Sequence, residues 1–345
     1  MRLLACFQVV MVNSVRPYAT PNDGPVVDFI NTVFSTFNLT DIPLFLMLGG
    51  YLFISKLNRT TDLGNTLKKR FVRLGVPTLA WSLFYFVAFI IDRRLSHQTP
   101  DYLGNLKDWA CLGKPGLGFH LWYMYALFIM EPAVTLVLRT FSRVRRISVI
   151  AVVWLLLAAT VMSVVLSLRG EGDARVYFIV RGLTLAPYYI FGKALGDWVI
   201  GLDESRKRRV HTCSFWIWLL TLAFGVALHL YAPQALYSKL FAQAYLNFLM
   251  PYTALNAFAL FTCVMTTHWN PSEKSKMFFA SAAKLTFGVY LMRIILLLTM
   301  RAIVGHVLPE SSFPRNVFIG TMTYLVSFGV TWILFRFPLT KRFVA

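Results

Sequence analysis

Arg293 interrupts the run LTFGVYLMRIILLLTM, with apolar residues on both sides of it. An ionisable group in a membrane-spanning helix is costly unless it is paired or wetted, so it marks a functional position by default. A guanidinium is not readily neutralised. Arg293 must therefore face the protein interior, water or an anionic ligand. Glu131 poses a related problem. It stands before Pro132 in LFIMEPAV, and a proline inside a helix frees a backbone carbonyl. A carboxylate there would face a cavity or an arginine. A third group lies at a helix mouth, where TLKKRFVRLGVP carries Lys68, Lys69, Arg70 and Arg73. Arg70 and Arg73 are spaced i,i+3 and share one helix face. Two guanidinium groups on one face make a clamp for a phosphorylated ligand. The bias of membrane proteins toward basic cytoplasmic loops accounts for the same residues, and composition alone does not choose. The remaining interior charges have plainer readings. Arg181 sits near the start of its run, within reach of the interface by snorkelling. Lys193 and Asp197 have the i,i+4 spacing of a structural pair, and His229 reads as interfacial.

Apolar runs dominate the chain and must position these residues. Of the 345 residues, 57% are apolar and 14% charged, where a soluble domain has about 25% charged. Candidate spans fall near residues 3–19, 40–56, 74–91, 121–138, 147–168, 177–200, 214–232, 246–266, 285–305 and 317–336. Their lengths suit a hydrocarbon core about 30 Å thick, and they lack the alternation of a β-barrel. The fold class is all-α polytopic membrane protein, a bundle of about ten transmembrane helices in a single domain over residues 1–345.

The net charge of +19 comes from basic residues gathered in alternate loops. Arg70 and Arg73 share their side with Arg139, Arg143, Arg145 and Arg146, with Arg206 to Arg209, and with Lys341 and Arg342. That asymmetry places both termini in the cytoplasm and explains the charge without nucleic acid. The cysteines Cys6, Cys111, Cys213 and Cys263 show no CxxC spacing, so neither a zinc site nor a disulfide framework is indicated.

The opening, MRLLACFQVVMVNSVRP, is the weakest span. Its apolar stretch from Leu3 to Val12 is short for a crossing. A signal peptide has a basic start and a short apolar core, yet no small-x-small cleavage site follows Val12. LLAC has the look of a lipobox, but nothing apolar precedes it. A further reading has the natural start upstream. Asn13 breaks the apolar run.

Five stretches together resemble the acyltransferase family 3 of integral membrane proteins. They are DIPLFLMLGGYLF (41–53), KKRFVRLGVPTLAWSLFYF (68–86), HLWYMYALFIMEP (120–132), APYYIFGKALG (186–196) and LTFGVYLMRIILL (285–297). Their order and spacing fit nearly the whole chain. The resemblance implies a membrane acyltransferase of the bacterial inner membrane. Its co-substrate would be an acyl-CoA, commonly acetyl-CoA. Its acceptor would be a hydroxyl of a periplasmic or lipid-linked glycan, and its surroundings membrane lipids. The family's cytoplasmic Arg-x-x-Arg handles the CoA donor. Carried to this chain, that is Arg70 and Arg73, with Lys69 beside them.

The family's helix 1 carries an arginine, ten residues, then a histidine. Arg2 matches, but Asn13 stands at the histidine position. The histidine after Gly-(Ile/Val)-Tyr-Leu is Arg293 here, and the usual Ser-Gly-Tyr turn is Gly49-Gly50-Tyr51. A hydroxyl nucleophile needs a base with a pKa near working pH. Asparagine takes no proton, and arginine stays charged. Three readings follow. In the first, the site is rearranged and active. His120 or Glu131 is then the base, Asn13 orients the acceptor or polarises the thioester carbonyl, and Arg293 stabilises the oxyanion. In the second, catalysis is lost and the protein binds or assembles. In the third, it exports or flips a glycan. The outer loop 92–120 is long for a bundle connection. It suits either sugar binding or a short interfacial helix.

Overall fold

The structure is a computed structural model that describes residues 1–15, 24–57, 62–97, 119–140, 174–231, 248, 250–305 and 312–344. Among the described residues every regular element is helical. They are α1 (Arg2–Ser14), α2 (Pro25–Asn38), α3 (Asp41–Leu57), α4 (Leu63–Leu95), α5 (Trp122–Thr140), α6 (Ala174–Ile200), α7 (Glu204–Tyr231), α8 (Pro251–Thr266), α9 (Glu273–Gly305), α10 (Phe313–Arg336) and the short α11 (Pro338–Lys341). A 3-10 turn, Phe119–Leu121, leads into α5. Among the described residues five segments are long and apolar enough to cross a membrane: 25–56, which joins α2 to α3, and the bodies of α4, α7, α9 and α10. The expected span at 147–168, residues 98–118 of the outer loop and the Arg181 side chain lie outside the described residues.

Two boundaries depart from the sequence reading. Helix α1 stops at Ser14, short of residue 19, and Val15 is already extended. The second span, expected at 40–56, starts much earlier. Gly24 adopts φ 90°, a left-handed value that glycine takes without strain. Pro25 follows in the first turn of α2, where its missing N–H is harmless. The chain turns at Leu39 and Thr40 and continues as α3. Hydropathy hides α2 because Asn31, Thr32, Ser35, Thr36 and Asn38 interrupt it. All five are buried, while Val26, Phe29 and Ile30 are exposed. The helix is amphipathic in the sense that suits lipid, apolar outward and polar inward.

Exposure separates periphery from interior. Only 17% of the apolar window of α7 is buried, against 61% for 25–56. Helix α7 therefore turns Phe215, Trp216, Leu220 and Phe224 outward, and α2–α3 lies inside. Just before α7, the Asp203 carboxylate accepts the Arg206 backbone N–H at 2.8 Å. That bond and one from Ser205 hold its carboxyl below the usual carboxylate range.

Helices α3 and α6 cross in close contact. A Cβ on Gly50 would lie 1.8 Å from the Tyr189 carbonyl oxygen, and one on Gly192 would lie 2.0 Å from that of Met47. Only glycine lets the two backbones meet so closely. The Tyr189 ring then lies over Gly49, which fixes the direction of its hydroxyl. Helix α1 is held on two sides. The Cys6 thiol donates to the Thr286 carbonyl of α9 at 3.7 Å. Tyr324 of α10 donates to the Leu3 carbonyl at 3.0 Å.

Candidate active site

The basic end of the site is built on α4. Arg70 donates from Nε to Oε1 and Oε2 of Glu131 at 3.2 and 3.1 Å. Its Nη2 donates to Oε1 at 2.8 Å. Glu131 comes from α5 and is 3% exposed. Tyr189 of α6 donates its hydroxyl to the same Oε1 at 3.0 Å. The glycine crossing of α3 and α6 thus serves the charge pair, because it delivers that tyrosine. Arg70 also lies 5.7 Å from the Phe53 ring centroid. Arg2 and Arg73 stand near enough for their charges to repel Arg70. Among the described residues Arg70 pairs with a carboxylate while Arg2 and Arg73 add their charges beside it, so this end carries excess positive charge. Lys69 is exposed on the same helix.

A second group lies where α9 meets α4 and the start of α5. Arg293 is 6% exposed, and its Cζ lies 4.5 Å from the Tyr290 ring centroid. Its Nε and Nη1 have no hydrogen-bond acceptor among the described residues. His120 is fully buried, with Nε2 3.1 Å from the Leu291 carbonyl oxygen. Tyr85 donates to that same oxygen at 2.8 Å, and its ring meets the imidazole edge-on at 4.8 Å. The Tyr290 hydroxyl donates to the His120 carbonyl. Residues 290–293 therefore tie the imidazole and the guanidinium to one stretch of α9. Asp41, at the head of α3, is 1% exposed and accepts the Ile42 N–H at 2.6 Å. Its charge attracts Arg293 from beyond ion-pair range. The sequence reading passed over Asp41. The available signal was a carboxylate two residues before Pro43, between polar Thr40 and an apolar run.

Asn13 is at the far end of α1. Its side-chain amide donates to the Val9 carbonyl of its own helix at 2.7 Å. Arg301 of α9 donates from Nη2 to the Asn13 carbonyl at 2.9 Å and to that of Ser14 at 3.3 Å. A guanidinium on the last carbonyls of α1 complements the negative end of its dipole. Arg301 was also missed in the sequence. It recurs two turns along the helix that carries Arg293.

The residues picked from sequence therefore fall at three levels. Arg70 and Glu131, read there as separate elements, form one ion pair, with Arg73 beside them and Lys69 exposed. His120 and Arg293 meet around Tyr290. Asn13 joins neither group. Lys193 and Asp197 form the expected pair, 2.6 Å from Nζ to Oδ2. Among the described residues no cluster of His, Cys, Asp and Glu is arranged to hold a metal.

Apolar helices with polar groups turned inward, and a buried arginine–carboxylate pair at one end, define a multi-pass integral membrane protein. The chain belongs to acyltransferase family 3: the family model, described as an acyltransferase domain, matches residues 1–335. No curated protein and no solved structure matches the chain.

Proposed function

We propose that this protein moves an acyl group, acetyl from acetyl-CoA, onto a hydroxyl of a cell-surface glycan or glycolipid. It would work in the bacterial inner membrane with both termini in the cytoplasm. The observation that carries the reading is the basic end, where Arg70 holds the Glu131 carboxylate and Arg2 and Arg73 add their charges beside Arg70. CoA brings several phosphate charges, and guanidinium groups recognise phosphate through paired N–H donors. Glu131 is a positioning residue in this account. Three contacts from two Arg70 nitrogens and one from the Tyr189 hydroxyl occupy its oxygens, and they hold the Arg70 fork in one orientation.

The base is then His120. The acceptor oxygen attacks the thioester carbonyl carbon, and its proton passes to the imidazole. The carbonyl becomes an oxyanion facing the open Nε–H and Nη1–H of Arg293, whose preorganised charge is worth most in a dry site. The C–S bond breaks, and the CoA sulfur leaves with the proton that His120 returns. Asn13 takes no part in proton transfer.

The test is acyl transfer from labelled acetyl-CoA in membranes holding the wild type, Arg73→Gln or His120→Gln. His120→Gln lowers the rate by about 10²-fold or more if the imidazole is the base. An undiminished rate would remove His120 from the reaction. One observation favours a second reading, a family member that binds but no longer transfers. The residue at the family's histidine position, Asn13, spends its amide on its own helix. That reading predicts a silent wild type and activity gained by Asn13→His.

A further inference from the structure

The segment after α10 folds back into the molecule. The Phe337 N–H donates to the Leu334 carbonyl at 3.4 Å, and Thr340 Oγ1 donates to the same oxygen at 2.6 Å. Beyond α11 the turn runs on. The Phe343 N–H donates to the Thr340 carbonyl at 2.9 Å, and the Val344 N–H to that of Lys341 at 3.3 Å. Lys341 lies over the Phe335 ring at 4.7 Å. The resulting strap, 337–344, keeps Phe337 and Leu339 outward and buries Val344 to 1% exposure. It reaches two helices of the transfer site. The Phe343 carbonyl accepts the indole Nε1–H of Trp81, on α4, at 2.9 Å. Val344 sits against Gly288 of α9. Its Cβ lies 3.0 Å from where a Cβ on that glycine would be, so a side chain at 288 would push against it.

Both contacts lead to His120. The Trp81 ring packs on Tyr85 with centroids 5.9 Å apart. Tyr85 meets the imidazole edge-on and shares the Leu291 carbonyl with it. Leu291 stands nearly one turn beyond Gly288 on the same helix. Thr331 of α10, the other neighbour of Gly288, donates its hydroxyl to Met292 Sδ at 3.6 Å. The strap thus touches both arms that hold the imidazole, one on α4 and one on α9. Among the described residues these two helices meet only sparingly. The strap is therefore a wedge that fixes how the arms stand to each other. A proton-transfer group keeps productive geometry only when packing and hydrogen bonds behind it are fixed.

We propose that the 337–344 strap is a positioning element for acyl transfer. It sets Trp81 and Gly288, and through them the Tyr85 ring and the Leu291 carbonyl that orient His120. This rests on the transferase reading given above, with His120 as the base. Trp81, Phe343 and Val344 touch no substrate in this account. Releasing the strap therefore lowers turnover without weakening the hold on acetyl-CoA, since Arg73 lies about 12 Å back along α4 from Trp81.

The test takes two readouts on the full chain. Membranes holding it are given labelled acetyl-CoA and the acceptor they already contain, and turnover and the KM for acetyl-CoA are measured. The purified chain in lipid nanodiscs, with isotope-labelled histidine, is read by NMR. Of the six histidines, the one whose imidazole signal is missing in His120→Gln is His120. Trp81→Phe keeps a ring against Tyr85 and loses the bond to Phe343. Val344→Asp puts a carboxylate in a buried apolar seat and expels the strap. Both lower turnover by about tenfold and leave the KM for acetyl-CoA unchanged. Both shift the His120 signal while the other imidazoles stay in place. Leu339→Ala, on the exposed side of the strap, changes neither readout. Trp81→Phe is mild enough to keep the test open if Val344→Asp does not fold. An unmoved His120 signal in the variants that fold overturns the proposal. So does a raised KM for acetyl-CoA with turnover unchanged. A shifted His120 signal, with no acyl transfer by the wild type, would support the strap and overturn the transferase reading instead.

Discussion

The two ends of the interior differ in kind. Around Arg70 the polar atoms are charged and closely partnered: a forked guanidinium, a carboxylate and a tyrosine hydroxyl, all within 3.2 Å contacts. Around Asn38 they are neutral and largely unpartnered. The first arrangement is complete as it stands and offers its surplus positive charge outward. The second packs neutral polar atoms closely and leaves several without partners among the described residues. The proposed polyanionic donor fits the first and not the second.

The largest effect should come from the crossing that supports the charged end. Gly50→Ala places a methyl group where the Tyr189 carbonyl now sits, at 1.8 Å. Overpacking of this kind costs about 1–3 kcal/mol and at times more, and here backbone must move. We expect loss of folded protein in detergent, or survival with acyl transfer abolished. Gly24→Ala, at a site with open space around it, strains only a turn and should be milder.

Glu131→Gln comes next. Removing one partner of a fully buried pair costs about 3–5 kcal/mol. Arg70 keeps 28% of its side chain exposed, so the loss should fall below that range. Thermal unfolding measures it, and Arg70→Lys should partly preserve stability while losing the fork. Raising the salt concentration should weaken acetyl-CoA binding, because the surplus charge on exposed Arg73 is screened. Acetyl-CoA binding that ignores salt would erase the comparison.

Arg301→Ala removes a cation from the last carbonyls of α1, an interaction worth about 0.3–1 kcal/mol. Faster hydrogen exchange confined to the end of α1 would report it. The smallest effect belongs to Asp203. Its lowered carboxyl pKa means that its contribution is present above the unfolded-state value and is lost as pH falls through the folded value. Fraying of the first turn of α7 in acid, abolished in Asp203→Ala, is the expected sign.

Much of the charged end was legible in the sequence. Apolar runs placed α4, α5, α6 and α9, and the i,i+3 arginines and Glu131 stood out because charge at membrane depth is rare. What could not be read was their partnership. It depends on the Gly50–Tyr189 crossing, a contact between segments far apart in sequence. The polar face of α2 was illegible for a different reason. Asn31, Ser35, Thr36 and Asn38 lower hydropathy, so 24–38 read as a loop. In lipid the inward polar face is the diagnostic one, and an apolar-run criterion discards it. Asn13 was legible as an oddity, yet its side chain turns back onto α1. The carboxylate nearest in effect to Arg293 is Asp41, which no charge cluster advertised.

The central claim is that the proposed donor is held at the charged end around Arg70, and a two-substrate kinetic analysis of Arg73→Gln tests it most directly. Among the described residues Arg73 makes no hydrogen bond or ion pair that the substitution would break. The account predicts a KM for acetyl-CoA raised about fivefold or more, as loss of a phosphate contact worth about 1 kcal/mol requires, with the acceptor KM unchanged. An unchanged acetyl-CoA KM, or two constants that rise together, would contradict it.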